Sequence, residues 1–236
     1  MTLEGRITRT SELNRQVRDE MFTILERYFD GYERENFESD LDEKDGVLLL
    51  EDDALRGFST FRFLEADVHG QHVRGVFSGD TIVEEAYRGQ QSLSNTWSTY
   101  MLEESRRSPV PFYWFLISSG YKTYRFLPVF LNEFFPRYDR ETPPFEQAVL
   151  EAFATMRFAN TYDPRRGTIR FEHSQERLKP GVADITDARI SNPHIRFFLE
   201  RNPGHGRGDE LACIAKISTE NFKPSVLRRI GIRYEP

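Results

Sequence analysis

With one cysteine in 236 residues, Cys213, the chain cannot form an internal disulfide or assemble a thiolate metal site. That excludes a disulfide scaffold, a zinc finger and thioredoxin-type redox chemistry. No apolar run approaches the roughly 20 residues that a membrane-spanning helix needs. The opening Met1-Thr2-Leu3-Glu4-Gly5 lacks the apolar stretch of a secretory signal, so a soluble, cytoplasmic protein with no membrane partner is expected. Histidines are few and scattered. His69 and His72 share a predicted hairpin at a spacing that turns them to opposite faces, and His173, His194 and His205 are isolated, so no metal is expected. The absence of a Gly-x-Ser-x-Gly elbow argues against a Ser-His-Asp hydrolase. A concentrated basic stripe is also missing: the bases come as pairs such as Arg106-Arg107, Arg165-Arg166 and Arg228-Arg229, and nucleic acid is not the expected partner.

What is present is a folded globular chain, 38% hydrophobic and 30% charged, with both signs represented. The length suits a single large domain, read as a core over 1–143 and a C-terminal elaboration over 144–236 that completes the same sheet. Residues 1–110 hold 23 acids against 13 bases, and the remainder 15 against 19. Eight of those acids crowd into Asp30 to Asp45, opposed only by Arg34 and Lys44, a charge that would favour a cationic acceptor if it faced a site.

Apolar residues at Leu13, Val17, Met21, Ile24, Leu25 and Phe29 share one helix face after Ser11. Strands are predicted at Val47 to Leu50, Gly57 to Leu64 and Val73 to Val83, the last broken by Ser78-Gly79-Asp80, where the glycine suits a bulge. A helix from Ser92, a strand over Phe112 to Ile117 and a helix over Tyr121 to Phe135 follow. Then come a helix at Phe145 to Asn160, a strand at Thr168 to Glu172, a helix at Asn192 to Glu200, the loop Pro203-Gly204-His205-Gly206-Arg207-Gly208 and a strand at Leu211 to Ile217. That loop reads as a flexible connection or a substrate lid.

This order of elements, and the segment Ile82-Val83-Glu84-Glu85-Ala86-Tyr87-Arg88-Gly89-Gln90, resemble the Gcn5-related N-acetyltransferase (GNAT) family. The resemblance spans about residues 6 to 136 and implies an α/β (α+β) fold: a mixed, mainly antiparallel sheet flanked by helices. It implies an acyltransferase that moves an acyl group from a coenzyme A thioester to a small-molecule amine, possible as a homodimer. The donor's pyrophosphate would meet Val83, Arg88, Gly89, Gln90, Gln91 and Ser92, where backbone N–H groups and a helix dipole converge on an anion. The family pattern Gln/Arg-x-x-Gly-x-Gly/Ala is not kept, since Gln91 and Leu93 stand where small residues belong. A donor on an acyl carrier protein, as in acyl-homoserine lactone synthases, and a non-catalytic binding protein are the alternatives that this departure leaves open.

Two residues carry the expected chemistry. Glu84, at a strand end, is the candidate base for an ammonium acceptor, with Asp80 a weaker candidate on the same strand. Tyr124 is the candidate proton donor to the departing thiolate, and Tyr121 competes with it because the register of the preceding turn is open. Each is equally consistent with a structural role. The 11 aromatics between Phe112 and Tyr138 read as core first and as pocket lining second.

Overall fold

The computed structural model describes residues 3–170, 177–178 and 190–233. Strand β1 (Glu4–Arg9) leads into helix α1 (Arg15–Tyr28), whose N-terminus is capped by the Asn14 side chain accepting the Val17 N–H at 2.9 Å. Met21, Ile24 and Leu25 bury one face of α1, as their spacing predicts. A two-residue strand β2 (Phe29–Asp30) and helix α2 (Arg34–Asp42) follow. Then come the meander strands β3 (Gly46–Glu51), β4 (Leu55–Val68) and β5 (Gln71–Val83). β4 and β5 meet at His69-Gly70, both with positive φ, the turn that matches the twist of a hairpin.

Helix α3 (Ser92–Arg107) crosses to β6 (Phe112–Ser118), and two short helices, α4 (Tyr121–Tyr124) and α5 (Phe126–Phe130), replace the single helix expected over Tyr121 to Phe135. Pro128 explains the break: it has no N–H for the Tyr124 carbonyl, and its ring crowds that oxygen. Helix α6 (Pro144–Phe158), the strand pair β7 (Tyr162–Asp163) and β8 (Thr168–Ile169), and β9 (Arg177–Leu178) come next. Of the predicted strand over Thr168 to Glu172, Phe171 and Glu172 lie outside the described residues, as does His173. Helix α7 (Pro193–Arg201), strand β10 (Glu210–Lys216) and helix α8 (Pro224–Arg229) complete the chain.

Eight strands form one sheet in the order β1-β3-β4-β5-β6-β10-β8-β7, antiparallel except for the β5–β6 pair. It is a mixed, mainly antiparallel sheet flanked by helices. Alternation divides the core between its two faces. On one, Phe112, Trp114 and Leu116 of β6 pack with Trp97, Met101 and Leu102 of α3 and with residues of α4, α5, α7 and α8. On the other, Tyr113 and Phe115 pack against Val149, Leu150 and Phe153 of α6, while α1 and α2 cover Val47, Leu49, Phe58 and Ile82. Among the described residues, no helix is long and apolar enough to cross a membrane.

Candidate active site

The parallel pair β5–β6 is in register from Arg74↔Phe112 to Ser78↔Leu116 and goes no further. Beyond it β6 stays with β10, through Leu211↔Ser118, while β5 stays with β4 up to Gly57↔Val83. The two strands therefore diverge, opening a V in the middle of the sheet. A cleft of about 1170 Å³ occupies it and reaches both faces.

A bulge shapes the wall on β5. Ser59 faces Thr81 and Phe61 faces Ser78, so Gly79 and Asp80 together oppose the single residue Thr60. Glycine is needed there, because a Cβ at position 79 would lie 2.5 Å from Thr60 Oγ1 and 2.8 Å from Lys44 Cε. Past the bulge the ladder is regular, and the Glu84 N–H donates to the Arg56 carbonyl at 2.9 Å. Alternation then turns the N–H groups of Thr81 and Val83 toward the edge that β6 has vacated. The Val83 carbonyl on that edge accepts from Arg88 Nε at 3.1 Å.

The loop after β5 passes through a 3-10 turn at Glu85–Tyr87 and enters α3 without a side-chain cap. Arg88, Gly89, Gln90, Ser92, Leu93 and Ser94 line the cleft there. Ser92, Leu93 and Ser94 are the first turn of a 16-residue helix, where N–H groups without helical partners suit an anion. Two of the expected side chains are occupied: Gln90 Oε1 accepts the Leu3 N–H at 3.1 Å and Ser92 Oγ donates to the Leu3 carbonyl at 2.7 Å. Arg88 is exposed, its guanidinium 4.7 Å from the Tyr28 ring centre. Gln91, the residue before the helix, is exposed and does not line the cleft.

Of the two carboxylates on the splayed strand, Asp80 lines the cleft and Glu84 does not. Glu84 is ion-paired with Arg27 and lies 3.6 Å from Arg56 Nη1. Asp80 accepts from the Tyr32 hydroxyl at 3.2 Å. Burial, helped by the nearby Asp40 charge and opposed by Lys44 and Tyr32, pushes its carboxyl up to about 6. Lys44, almost wholly buried, is ion-paired with Asp40, which Arg157 also holds at 2.9 Å. Tyr28, Phe29, Tyr32, Phe77 and Phe158 add aromatic surface at this end.

The tyrosines also exchange places. Tyr121, itself almost wholly buried, lines the cleft; Tyr124 does not, its hydroxyl donating to the Pro136 carbonyl at 2.9 Å and its ring packed on Phe134 and Phe198. Burial holds the Tyr124 hydroxyl far above the ordinary tyrosine range. Of the acids between Asp30 and Asp45, only Asp40 lines the cleft. Among the described residues, three of the other seven are ion-paired: Glu38 with Arg18 and Arg34, Asp42 with Arg18, Glu43 with Arg62 and Arg157. The attractive field expected from sequence is thus compensated in part. Most of the 11 aromatics between Phe112 and Tyr138 are core, with Tyr121 and Phe126 the two that line the cleft.

No protein-family model matches the chain, and no curated protein matches it in sequence. Among solved structures it is similar to a probable N-acyltransferase of unknown function from Enterococcus faecalis, 18% identical with a TM-score of 0.41, over 58% of this chain and 37% of that one. It is also similar to a GCN5-related N-acetyltransferase from Kribbella flavida, 17% identical with a TM-score of 0.40, over 56% of this chain and 34% of that one. A third similar structure is a GNAT family N-acetyltransferase from Escherichia coli in complex with CoA, 21% identical with a TM-score of 0.36, over 50% of this chain and 65% of that one. The chain thus spans about a third of the length of the first two.

Proposed function

We propose that the protein is an acyltransferase that moves an acyl group from a coenzyme A thioester to a small primary amine. The splay of β5 from β6 carries this reading, because it opens the sheet from face to face and leaves strand amides free to meet a carbonyl. The donor lies on the α3 face, its diphosphate on the first-turn amides of α3 and on Arg88, which gives up its contacts with Val83 and Tyr28. Gly89 and Ser92 contribute backbone N–H groups; the Gln90 N–H is held by the Tyr87 carbonyl at 3.2 Å, its side chain and that of Ser92 are committed to Leu3, and Gln91 stands outside the cleft. The N–H groups of Thr81 and Val83 bind the acyl oxygen and stabilise the charge that develops there.

The amine enters from the face covered by α1 and α2, between Tyr28, Tyr32 and Asp80. Asp80, titrating near 6, is ionised at neutral pH and basic enough to take a proton from the ammonium. Tyr121 rather than Tyr124 stands on the cleft wall where it can steady the leaving sulfur. Glu84 and its arginines hold the β5 end against α1 and β4, and Tyr124 packs the wall behind Tyr121; both are supporting residues. Thiol release from acetyl-CoA in the presence of a panel of primary amines tests the proposal. The expected result is amine-dependent release that falls about 10²–10⁴-fold in Asp80→Asn while donor binding persists. Release that no amine accelerates, with acetyl-CoA or with an acylated carrier protein as donor, would contradict it.

A further inference from the structure

The glycine-rich segment Pro203 to Gly208 is built as a hydrogen-bonded turn. The Arg207 N–H donates to the Gly204 carbonyl at 2.8 Å, the Gly208 N–H to that of His205 at 3.1 Å, and the Asp209 N–H to that of Gly204 at 3.2 Å. Buried Asn202 ties the base, its amide donating to the Asp209 carbonyl at 2.7 Å. A Cβ on Gly204 would fall 1.9 Å from Asp209 Oδ2, so the close approach requires glycine. The side chain this turn presents is His205, packed on Phe198 at 5.7 Å between ring centres and lining the cleft together with Ser119, Gly120 and Tyr121. Its half-buried ring makes no hydrogen bond or ion pair among the described residues. Burial holds the imidazole below its ordinary value, which keeps it neutral at pH 7. The other ionisable groups on this wall are Tyr121, Lys122 and Glu210, with Arg207 and Asp209 on the turn itself, Asp209 lying 3.6 Å from Arg170.

We propose that His205 is a catalytic residue of the transfer, carrying a proton from the amine nitrogen to the departing sulfur. This rests on the acyl-transfer reading of the cleft. An ammonium acceptor must lose two protons as its C–N bond forms and the C–S bond breaks. Asp80 takes the first, before attack, and releases it to water. The neutral imidazole takes the second from the nitrogen once that nitrogen is bonded to the carbonyl carbon. It delivers this proton to the sulfur as the C–S bond breaks with its electron pair, ending neutral again.

His205→Gln preserves size and hydrogen bonding but cannot shuttle a proton, and His205→Ala leaves room for added imidazole. In both, kcat is expected to fall about 10²–10⁴-fold while calorimetric affinity for acetyl-CoA stays within about twofold of wild type. Imidazole should restore part of the turnover of His205→Ala and none of that of His205→Gln. Wild-type kcat in His205→Gln, a loss confined to KM, or no rescue of folded His205→Ala would overturn the assignment and leave the cleft reading intact. Failure of the wild type to bind any thioester would instead reject the cleft reading, and His205 with it.

Discussion

Asp80 and Glu84 are four residues apart on one strand, yet the inserted residue at Gly79-Asp80 and the end of pairing with β6 give them different surroundings. Asp80 meets the cleft with a carboxyl near 6, so kcat should fall as pH drops through about 6, and this acid limb should vanish in Asp80→Asn along with most of the turnover. The same shift has a stability sign. The folded pKa lies above the unfolded one, so the unfolded chain ionises first as pH rises from about 4 to 6, and stability is lost over that window. Asp80→Asn should therefore raise the melting temperature at pH 7 by the equivalent of about 1–3 kcal/mol and leave it unchanged near pH 3, read by thermal melts at both pH values. The two tyrosines separate in the opposite sense. Tyr121→Phe should reduce turnover. Tyr124→Phe should cost about 1–2 kcal/mol by stranding the Pro136 carbonyl, with kcat retained.

At the scale of elements, helix α3 offers a clean separation of folding from function. Ser94 lies in its first turn on the cleft wall. A carboxylate there suits the helix dipole, so Ser94→Glu should fold at least as stably as wild type, yet it should weaken coenzyme A binding about tenfold or more by repelling the diphosphate. Unchanged affinity by calorimetry would remove α3 from the donor site. Periodicity made α1, the β3–β5 meander, α3 and β6 legible in the sequence, because each buries one regular face. It passed over β1, an edge strand whose pairing with β3 is backbone-driven and whose residues Glu4, Arg6 and Arg9 mask any alternation. The cleft was legible from the segment around Tyr87-Arg88-Gly89, whereas which carboxylate and which tyrosine line it was not. A one-residue bulge shifts the phase of every side chain after it, and a turn of uncertain register does the same to Tyr121 and Tyr124. Ion pairs such as Asp40–Arg157 join residues far apart in sequence, so the compensation of the acidic segment could not be read from local composition.

For the whole molecule, the sheet separates two approaches to one opening, the α3, α4 and α5 face and the α1 and α2 face, which in the proposed reaction serve the donor and the acceptor. Because Glu38, Asp40, Asp42 and Glu43 are ion-paired, the apparent KM for a cationic amine should change less than about threefold between low and high salt, a weaker response than an open acidic field would give. Neutralising Glu35, Glu38 and Asp42 together should leave KM in place and cost about 1 kcal/mol in stability, since Arg18 loses both carboxylates and Arg34 keeps only Asp19. The most direct check on the central claim is a calorimetric titration of the wild-type chain with acetyl-CoA, repeated with Arg88→Ala. The account predicts one saturable site per chain, weakened about tenfold or more by the substitution because a charge-assisted phosphate contact contributes about 1.5–3 kcal/mol. Absence of binding, or equal affinity in the two proteins, would contradict it.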